Sequence, residues 1–133
     1  MAISYITLGT NDLAAARVYY DAVLPILGGE LEIDLPGFTC CYRMRDGLRI
    51  WVGHAQNGDT ATFGNGTMIG LLARSEAEVH AAHKAALDHG GRNEGDPGPR
   101  PLYGPEFYGG YARDPEGNKM SFVYYRTAGE MAK

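Results

Sequence analysis

Four histidines and several tyrosines are the side chains of this sequence that could carry out metal or acid–base chemistry. His80 and His83 lie three residues apart, a spacing that can hold a metal ion on one turn of a helix. His54 is the best candidate for a general acid or base, because imidazole titrates near neutral pH. Both observations have a plainer explanation, since helix histidines are commonly solvated or half-buried and His54 also fits the exposed end of a strand.

The two cysteines offer neither a disulfide nor a thiolate metal site. Cys40 and Cys41 are adjacent in a predicted strand, where successive side chains point to opposite faces, so a disulfide between them would be strained. The sequence has no Cys-x-x-Cys motif. We expect both thiols to pack in the sheet or the core.

Strand and helix signals recur in the same order about 63 residues apart. Predicted strands at residues 5–8 and 68–72 each precede a helix. Each helix begins at a polar capping residue and ends at a glycine pair: Asn11 or Asp12 with Gly28-Gly29, and Ser75 (in a capping box with Glu78) with Gly90-Gly91. The chain is therefore predicted to contain two copies of one unit.

Strand signals, and no further helix, follow each of the two helices. The predicted strands are residues 30–35, 38–45 and 48–54 in the first half, and 107–113 and 119–126 in the second, with a weak counterpart at 92–95. Asp46-Gly47 predicts a two-residue hairpin turn, and Pro115 presets the turn of the last hairpin. Each half is thus predicted to be a β-α-β-β-β module, at about residues 1–57 and 66–127 of a single domain of residues 1–133.

A proline-rich segment at residues 92–110 carries Tyr103 and Tyr108. Each tyrosine offers a ring for stacking and a hydroxyl for hydrogen bonding. The segment fits two interpretations: a surface loop that its rings hold to the sheet, or a lid over a pocket.

The charge balance excludes some classes of partner. With 12 basic and 16 acidic residues and no basic stripe, the sequence argues against nucleic acid or an anionic membrane. No apolar run approaches the roughly 20 residues of a membrane span, and the N-terminus lacks a signal-peptide pattern. We expect a soluble cytoplasmic protein.

Three features together resemble the vicinal oxygen chelate superfamily, which contains glyoxalase I, bleomycin-resistance proteins and extradiol dioxygenases. They are the repeated module, the Leu-Gly-Thr-Asn-Asp-Leu opening with Ala-Arg-Val-Tyr-Tyr-Asp-Ala-Val-Leu shortly after it, and Arg-Asp-Pro-Glu-Gly-Asn-Lys-Met near the end. The resemblance covers residues 3–126. It implies an α+β fold in which two tandem modules form a half-open, eight-stranded mixed sheet around a cup. Because many relatives pair, it also implies a homodimer.

In the metal-dependent members of this superfamily, the first and fourth strands of each module provide one ligand apiece, His, Glu or Gln. The matching positions here hold Tyr5 and Trp51 in the first module and Met68 and Ser121 in the second. A thioether is too soft for these metal ions, an indole only donates hydrogen bonds, and a serine hydroxyl binds weakly. We therefore expect neither a divalent metal nor another cofactor.

Strand alternation predicts which side chains face the cup. It selects Tyr5, Arg49, Trp51, Met68 and Ser121 as ligand-binding residues, and the predicted set also includes Tyr103, Tyr108 and Tyr111. Their rings suit a flat or amphipathic organic ligand, and the cations Arg49 and Lys119 also face the cup, with Arg49 suited to a carboxylate or phosphate. The same rings and thioether could instead pack together and fill the cup.

Three classes of function remain open. The missing ligands favour a protein that sequesters a small organic molecule without a metal, like the bleomycin-resistance proteins. The alternative is an enzyme of the same fold, lyase or dioxygenase in type, with a non-standard metal site or with His54, Tyr5 or Tyr111 as its acid–base group. A tyrosine is a base near neutral pH only if a cation such as Arg49 lowers its pKa. A dimerising interaction module is the third class.

Overall fold

One strand, one helix and three more strands recur in each half of the chain, in a computed structural model that describes residues 2–132. The first module contains β1 (Tyr5–Gly9), α1 (Leu13–Val23), β2 (Glu30–Leu35), β3 (Thr39–Arg43) and β4 (Arg49–Gly53). The second contains β5 (Met68–Leu72), α2 (Glu76–Asp88), β6 (Arg92–Pro99), β7 (Phe107–Arg113) and β8 (Lys119–Tyr125), and the one-turn helix α3 (Ala128–Met131) follows it. The predicted β-α-β-β-β plan is confirmed. Met1 and Lys133, the limits of the predicted domain, lie outside the described residues.

The eight strands form two four-stranded mixed sheets. Their orders are β1-β4-β3-β2 and β5-β8-β7-β6, so that the first and last strands of each module are parallel neighbours. Tyr5 is aligned with Arg49, and Met68 is aligned with Lys119. These two aligned pairs occupy equivalent positions of the two modules. The α+β class with mixed sheets is confirmed.

Both main helices begin at the predicted capping residues. The Asp12 carboxylate accepts a hydrogen bond from Ala15 N, and the Ser75 hydroxyl accepts one from Glu78 N at 3.1 Å. The predicted capping box is not closed, because the Glu78 carboxylate accepts from Arg74 N instead. Glu78 also forms an ion pair with Arg45, at 2.8 Å, which links the two modules.

One buried carboxylate holds the last hairpin against the first module. Asp114 is only 2% exposed, and its oxygens accept hydrogen bonds from the Tyr20 hydroxyl at 2.6 Å and from Asn118 Nδ2 at 2.8 Å. They also accept from the backbone amides of Glu116 and Asn118. Asn118 Nδ2 donates in addition to the Gly9 carbonyl at the end of β1. The Asp-Pro-Glu-Gly-Asn turn therefore connects β7 and β8 to both α1 and β1.

Three local features differ from the expectation. Strand β6 continues through Pro97 to Pro99, because it lies at the sheet edge and pairs only with β7, where a missing amide donor is tolerated. The β3–β4 turn is longer than the predicted two-residue turn: Met44 N bonds to Leu48 O, and Gly47 takes a positive φ of 92°. Helix α3 had no sequence signal that we identified.

Each sheet has one covered and one open face. Helix α2 packs on β6, β7 and β8, and the buried side chains of both modules form one core that includes Tyr19, Tyr20, Tyr42, Val79 and Phe122. The opposite faces carry the exposed side chains of β1 and β5. Between residues 2 and 132, no helix is long and apolar enough to cross a membrane.

Candidate functional site

The open face of the first module contains a hollow of about 480 Å³. Its floor is formed by Tyr5, Arg49 and Trp51, which face the same side because β1 and β4 alternate in step. His54, just beyond the end of β4, also lines this hollow. The best acid–base candidate of the sequence therefore lies beside Trp51, but its imidazole makes no hydrogen bond with any of residues 2–132 that would orient it.

The open face of the second module contains a larger hollow of about 780 Å³. Met68 and Ser121 lie in its lining together with Tyr103, Tyr111 and Lys119. Part of its wall is a row of rings packed edge to face, in which Tyr103 is 5.4 Å from Phe107, and Phe107 is 5.9 Å from Tyr125. Residues 100–103 form its rim, so the end of the proline-rich segment contributes directly to this hollow.

The structure separates the predicted ligand-binding residues into two groups. Tyr5, Arg49 and Trp51 line the first-module hollow, whereas Met68, Tyr103, Tyr111 and Ser121 line the second-module hollow. No residue lines both of these hollows. The four positions that matched metal ligands are thus divided between the two hollows, two in each.

Tyr108 lies apart from both groups. Side chains along β7 alternate, so Phe107 and Tyr111 face the hollow while Tyr108 faces α2. It is 8% exposed, and its hydroxyl lies 2.6 Å from Nε2 of His80. The structure therefore gives Tyr108 a place in the packing of α2 on the sheet, and we leave it out of the candidate site.

Arg49 has a counter-ion. Its Nε lies 2.8 Å from a carboxylate oxygen of Glu32, and the other oxygen of Glu32 lies 3.3 Å from Nε of Arg43. The hydrogen bond from Arg49 lowers the pKa of Glu32, so this carboxylate stays ionised near neutral pH. Arg49 consequently faces the first-module hollow with a carboxylate already bound, which it shares with Arg43.

The histidines of α2 are engaged on the covered side of the second sheet. His83 is buried, and its Nε2 lies 3.0 Å from Oδ1 of Asn93 and 3.2 Å from the Tyr111 carbonyl. His80 contacts Tyr108 instead, so the two rings have different partners. Throughout residues 2–132, no group of three or more His, Cys, Asp or Glu side chains is placed to hold a metal ion.

The donor atoms at the matching positions do not fit a divalent metal. A phenol and an indole lie in one hollow, and a thioether and a hydroxyl lie in the other. Neither pair provides the imidazole and carboxylate donors that such ions prefer.

Tyr111 is protonated near neutral pH. Burial raises its pKa, and the opposing effect of the nearby Arg100 is smaller. Its hydroxyl can therefore donate a hydrogen bond to a ligand but is not suited to removing a proton.

Comparison with known proteins agrees with this architecture. The sequence profile of the Glyoxalase/Bleomycin resistance protein/Dioxygenase superfamily matches residues 2–122. A glyoxalase/bleomycin resistance protein from Albidiferax ferrireducens T118 is 32% identical, with a TM-score of 0.83, over 92% of this chain and 98% of that one. A glyoxalase-related enzyme from Fulvimarina pelagi is 23% identical, with a TM-score of 0.73, over 92% and 87%. No curated protein matches the sequence significantly.

Fold and site together define an α+β protein of two tandem β-α-β-β-β modules, each with an open hollow on its sheet. The chain belongs to the glyoxalase/bleomycin resistance protein/dioxygenase superfamily. The resemblance inferred from the sequence motifs is confirmed.

Sequence reasoning missed two features of the site. Arg100 and Pro101 contribute to the lining of the second-module hollow, although only tyrosines of this segment were predicted as site residues. The contact between Glu32 and Arg49 was also missed, because Glu32 lies at a register shift of β2 that no residue pattern predicts.

Proposed function

We propose that this protein binds a small organic molecule in its second-module hollow and uses no divalent metal to do so. The observation that carries the proposal is the hollow itself. Its volume of about 780 Å³ lies within the roughly 300–1,000 Å³ typical of small-molecule sites, and its wall is mainly aromatic and apolar with a few polar groups.

The lining supports a flat ligand. The rings of Tyr103 and Phe107 offer faces and edges for stacking, and Met68 offers a polarisable thioether that adapts to an irregular shape. The Tyr111 ring is flanked by two cations, with Arg100 at 5.4 Å and Lys119 at 5.8 Å from its centroid. These cation–π contacts favour a fixed ring position before a ligand arrives.

The enzyme alternative has less support. It needs an oriented acid or base, and the imidazole of His54 has no partner among the described residues that would orient it. A tyrosine base needs a lowered pKa, but burial shifts that of Tyr111 upwards. Binding without turnover is therefore the function that we put forward.

The test is a calorimetric binding screen with flat aromatic compounds, carried out on the wild type and two variants. Tyr111→Ala removes a ring from the second-module hollow, and Tyr5→Ala removes one from the first. We expect binding to weaken by roughly tenfold or more in Tyr111→Ala and to change little in Tyr5→Ala, because a buried aromatic contact contributes about 1–3 kcal/mol. The opposite pattern, or no binding by the wild type, would contradict the proposal.

We also propose that the chain forms a homodimer through its open faces. Tyr5 and Leu72 lie on these faces outside the second-module hollow and are 59% and 65% exposed, which leaves apolar surface for a second copy to cover. Gel filtration coupled to light scattering, at micromolar protein concentration, measures the mass in solution. A monomeric mass would contradict the proposed homodimer. The cytoplasmic location stays a prediction.

A further inference from the structure

Lys119 and Arg49 are equivalent residues of the two modules. Each is the first residue of its module's last strand, and each is aligned with the first residue of the parallel opening strand. Each also contributes to the lining of its own module's hollow. The repeat has thus placed one cation at the same point of both hollows.

The counter-ions of these two cations differ. Glu32 lies at the register shift of β2 and pairs with both Arg43 and Arg49. Its equivalent, Glu94, lies at the corresponding register shift of β6 and pairs with Arg113 Nε at 2.8 Å. Within residues 2–132, no carboxylate oxygen lies within 4.0 Å of the Lys119 ammonium.

The other cation that lines the second-module hollow is Arg100, and its N–H groups donate hydrogen bonds to the backbone. The guanidinium of Arg100 donates to the backbone carbonyls of Asp96, Gly98 and Pro99. Lys119 is therefore the cation in this hollow that has neither an ion-pair nor a hydrogen-bond partner among the described residues. The Lys119 ammonium carries one positive charge and lies near the Glu94 carboxylate. It therefore suits a ligand with one negative charge better than a ligand with two.

We propose that the ligand of the second-module hollow is an aromatic monocarboxylate whose carboxylate binds Lys119. The inference rests on the proposed function, because it assigns the ligand class of that same hollow. The ring of the ligand packs against Tyr103, Tyr111 and Phe107, and its carboxylate accepts a charge-assisted hydrogen bond from the Lys119 ammonium. Phosphate monoesters are disfavoured, because the N–H groups of the other cation, Arg100, already donate to backbone carbonyls.

Matched pairs of ligands isolate the role of the charge. Benzoate, phenylacetate and 1-naphthoate have nearly the same shape as their primary amides, so the ratio of acid to amide affinity reports the charge contact alone. Hydrogen bonds to charged groups contribute enough for this ratio to be roughly tenfold or more. Isothermal titration calorimetry measures both members of each pair on the full chain.

Three variants of the chain complete the experiment. We expect Lys119→Met to reduce the acid-to-amide ratio to about one while amide affinity is kept, and Lys119→Arg to restore the preference. Lys84→Met is the matched control, because Lys84 is exposed on α2, pairs with Asp88 and lies outside the hollow. Melting curves verify that each variant is folded.

The outcomes separate this inference from the proposed function. If acids and amides bind equally to the wild type, or if Lys119→Met keeps the acid preference, the hollow binds small molecules but the ligand class is wrong. If Arg49→Met loses the preference while Lys119→Met keeps it, the anion binds in the first module and the inference is overturned. If neither acids nor amides bind, both the inference and the proposed function are overturned.

Discussion

The Asp114→Asn substitution tests how the second-module hollow is held in place. In the wild type, one oxygen of Asp114 accepts from the Tyr20 hydroxyl and Asn118 Nδ2, and the other accepts from the backbone amides of Glu116 and Asn118. An asparagine must direct its own NH₂ group at one of these two pairs of donors. Either orientation leaves N–H groups facing each other in a buried site.

The magnitude follows from the hydrogen bonds that are lost. In the less costly orientation, the new NH₂ group points at the Tyr20 hydroxyl, which can rotate to accept a hydrogen bond from it. The side-chain NH₂ group of Asn118 then faces another donor and loses its acceptor. A hydrogen bond to a charged group contributes about 1.5–3 kcal/mol, so we expect a loss of about 2–4 kcal/mol in the free energy of unfolding. Such a loss corresponds to a melting temperature roughly 10 °C lower.

The assay is urea denaturation followed by circular dichroism, with Asp46→Asn as the matched control. Asp46 also accepts a hydrogen bond from a backbone amide of its own hairpin turn, at 3.0 Å, but it is exposed. We expect this control to lose less than about 1 kcal/mol, as exposed substitutions usually do. A loss below about 1 kcal/mol in Asp114→Asn would refute the reasoning that this carboxylate joins the modules.

Two further predictions concern spectroscopy and pH. Trp51 is the only tryptophan and lies in the first-module hollow, so its emission should stay unchanged when a ligand occupies the second-module hollow; a quenched or shifted spectrum would place the ligand beside Trp51 instead. Burial raises the pKa values of Tyr19, Tyr20 and Tyr42 in the folded protein. Because unfolding lets these phenols ionise, their contribution to stability should be constant below the unfolded tyrosine pKa of about 10 and should be lost as the pH rises above it. Urea denaturation from pH 8 to 11 measures this, and a flat profile above pH 10 would contradict it.

The repeat made most of the fold predictable. Residues 63 positions apart, such as Tyr5 and Met68, begin equivalent strands, and the capping residues Asp12 and Ser75 begin equivalent helices. Hydrophobic periodicity and capping are local properties, so a sequence displays them directly. The prolines of β6 misled the prediction because edge position, which makes them tolerable, depends on the final order of strands.

The site was less accessible to prediction than the fold. Tyr108 and Tyr111 are three residues apart on one strand, so the period of two already separates their faces, and that signal could have been used. The division of the cup into two hollows has no such signal, because it depends on how the modules pack together. The pairing of Glu32 with Arg49 likewise depends on a register shift.

The most direct test of metal-free binding is calorimetry on protein from which divalent ions have been stripped with a chelator. The tightest-binding aromatic carboxylate is titrated into the stripped protein, and again after one equivalent of Mn²⁺, Fe²⁺, Co²⁺, Ni²⁺ or Zn²⁺ is added. Our account predicts the same affinity in every case and an unchanged melting temperature with each ion, since a ligand that binds only the folded state must stabilise it. Binding that requires one of these ions, or a melting temperature raised by several degrees, would contradict the account.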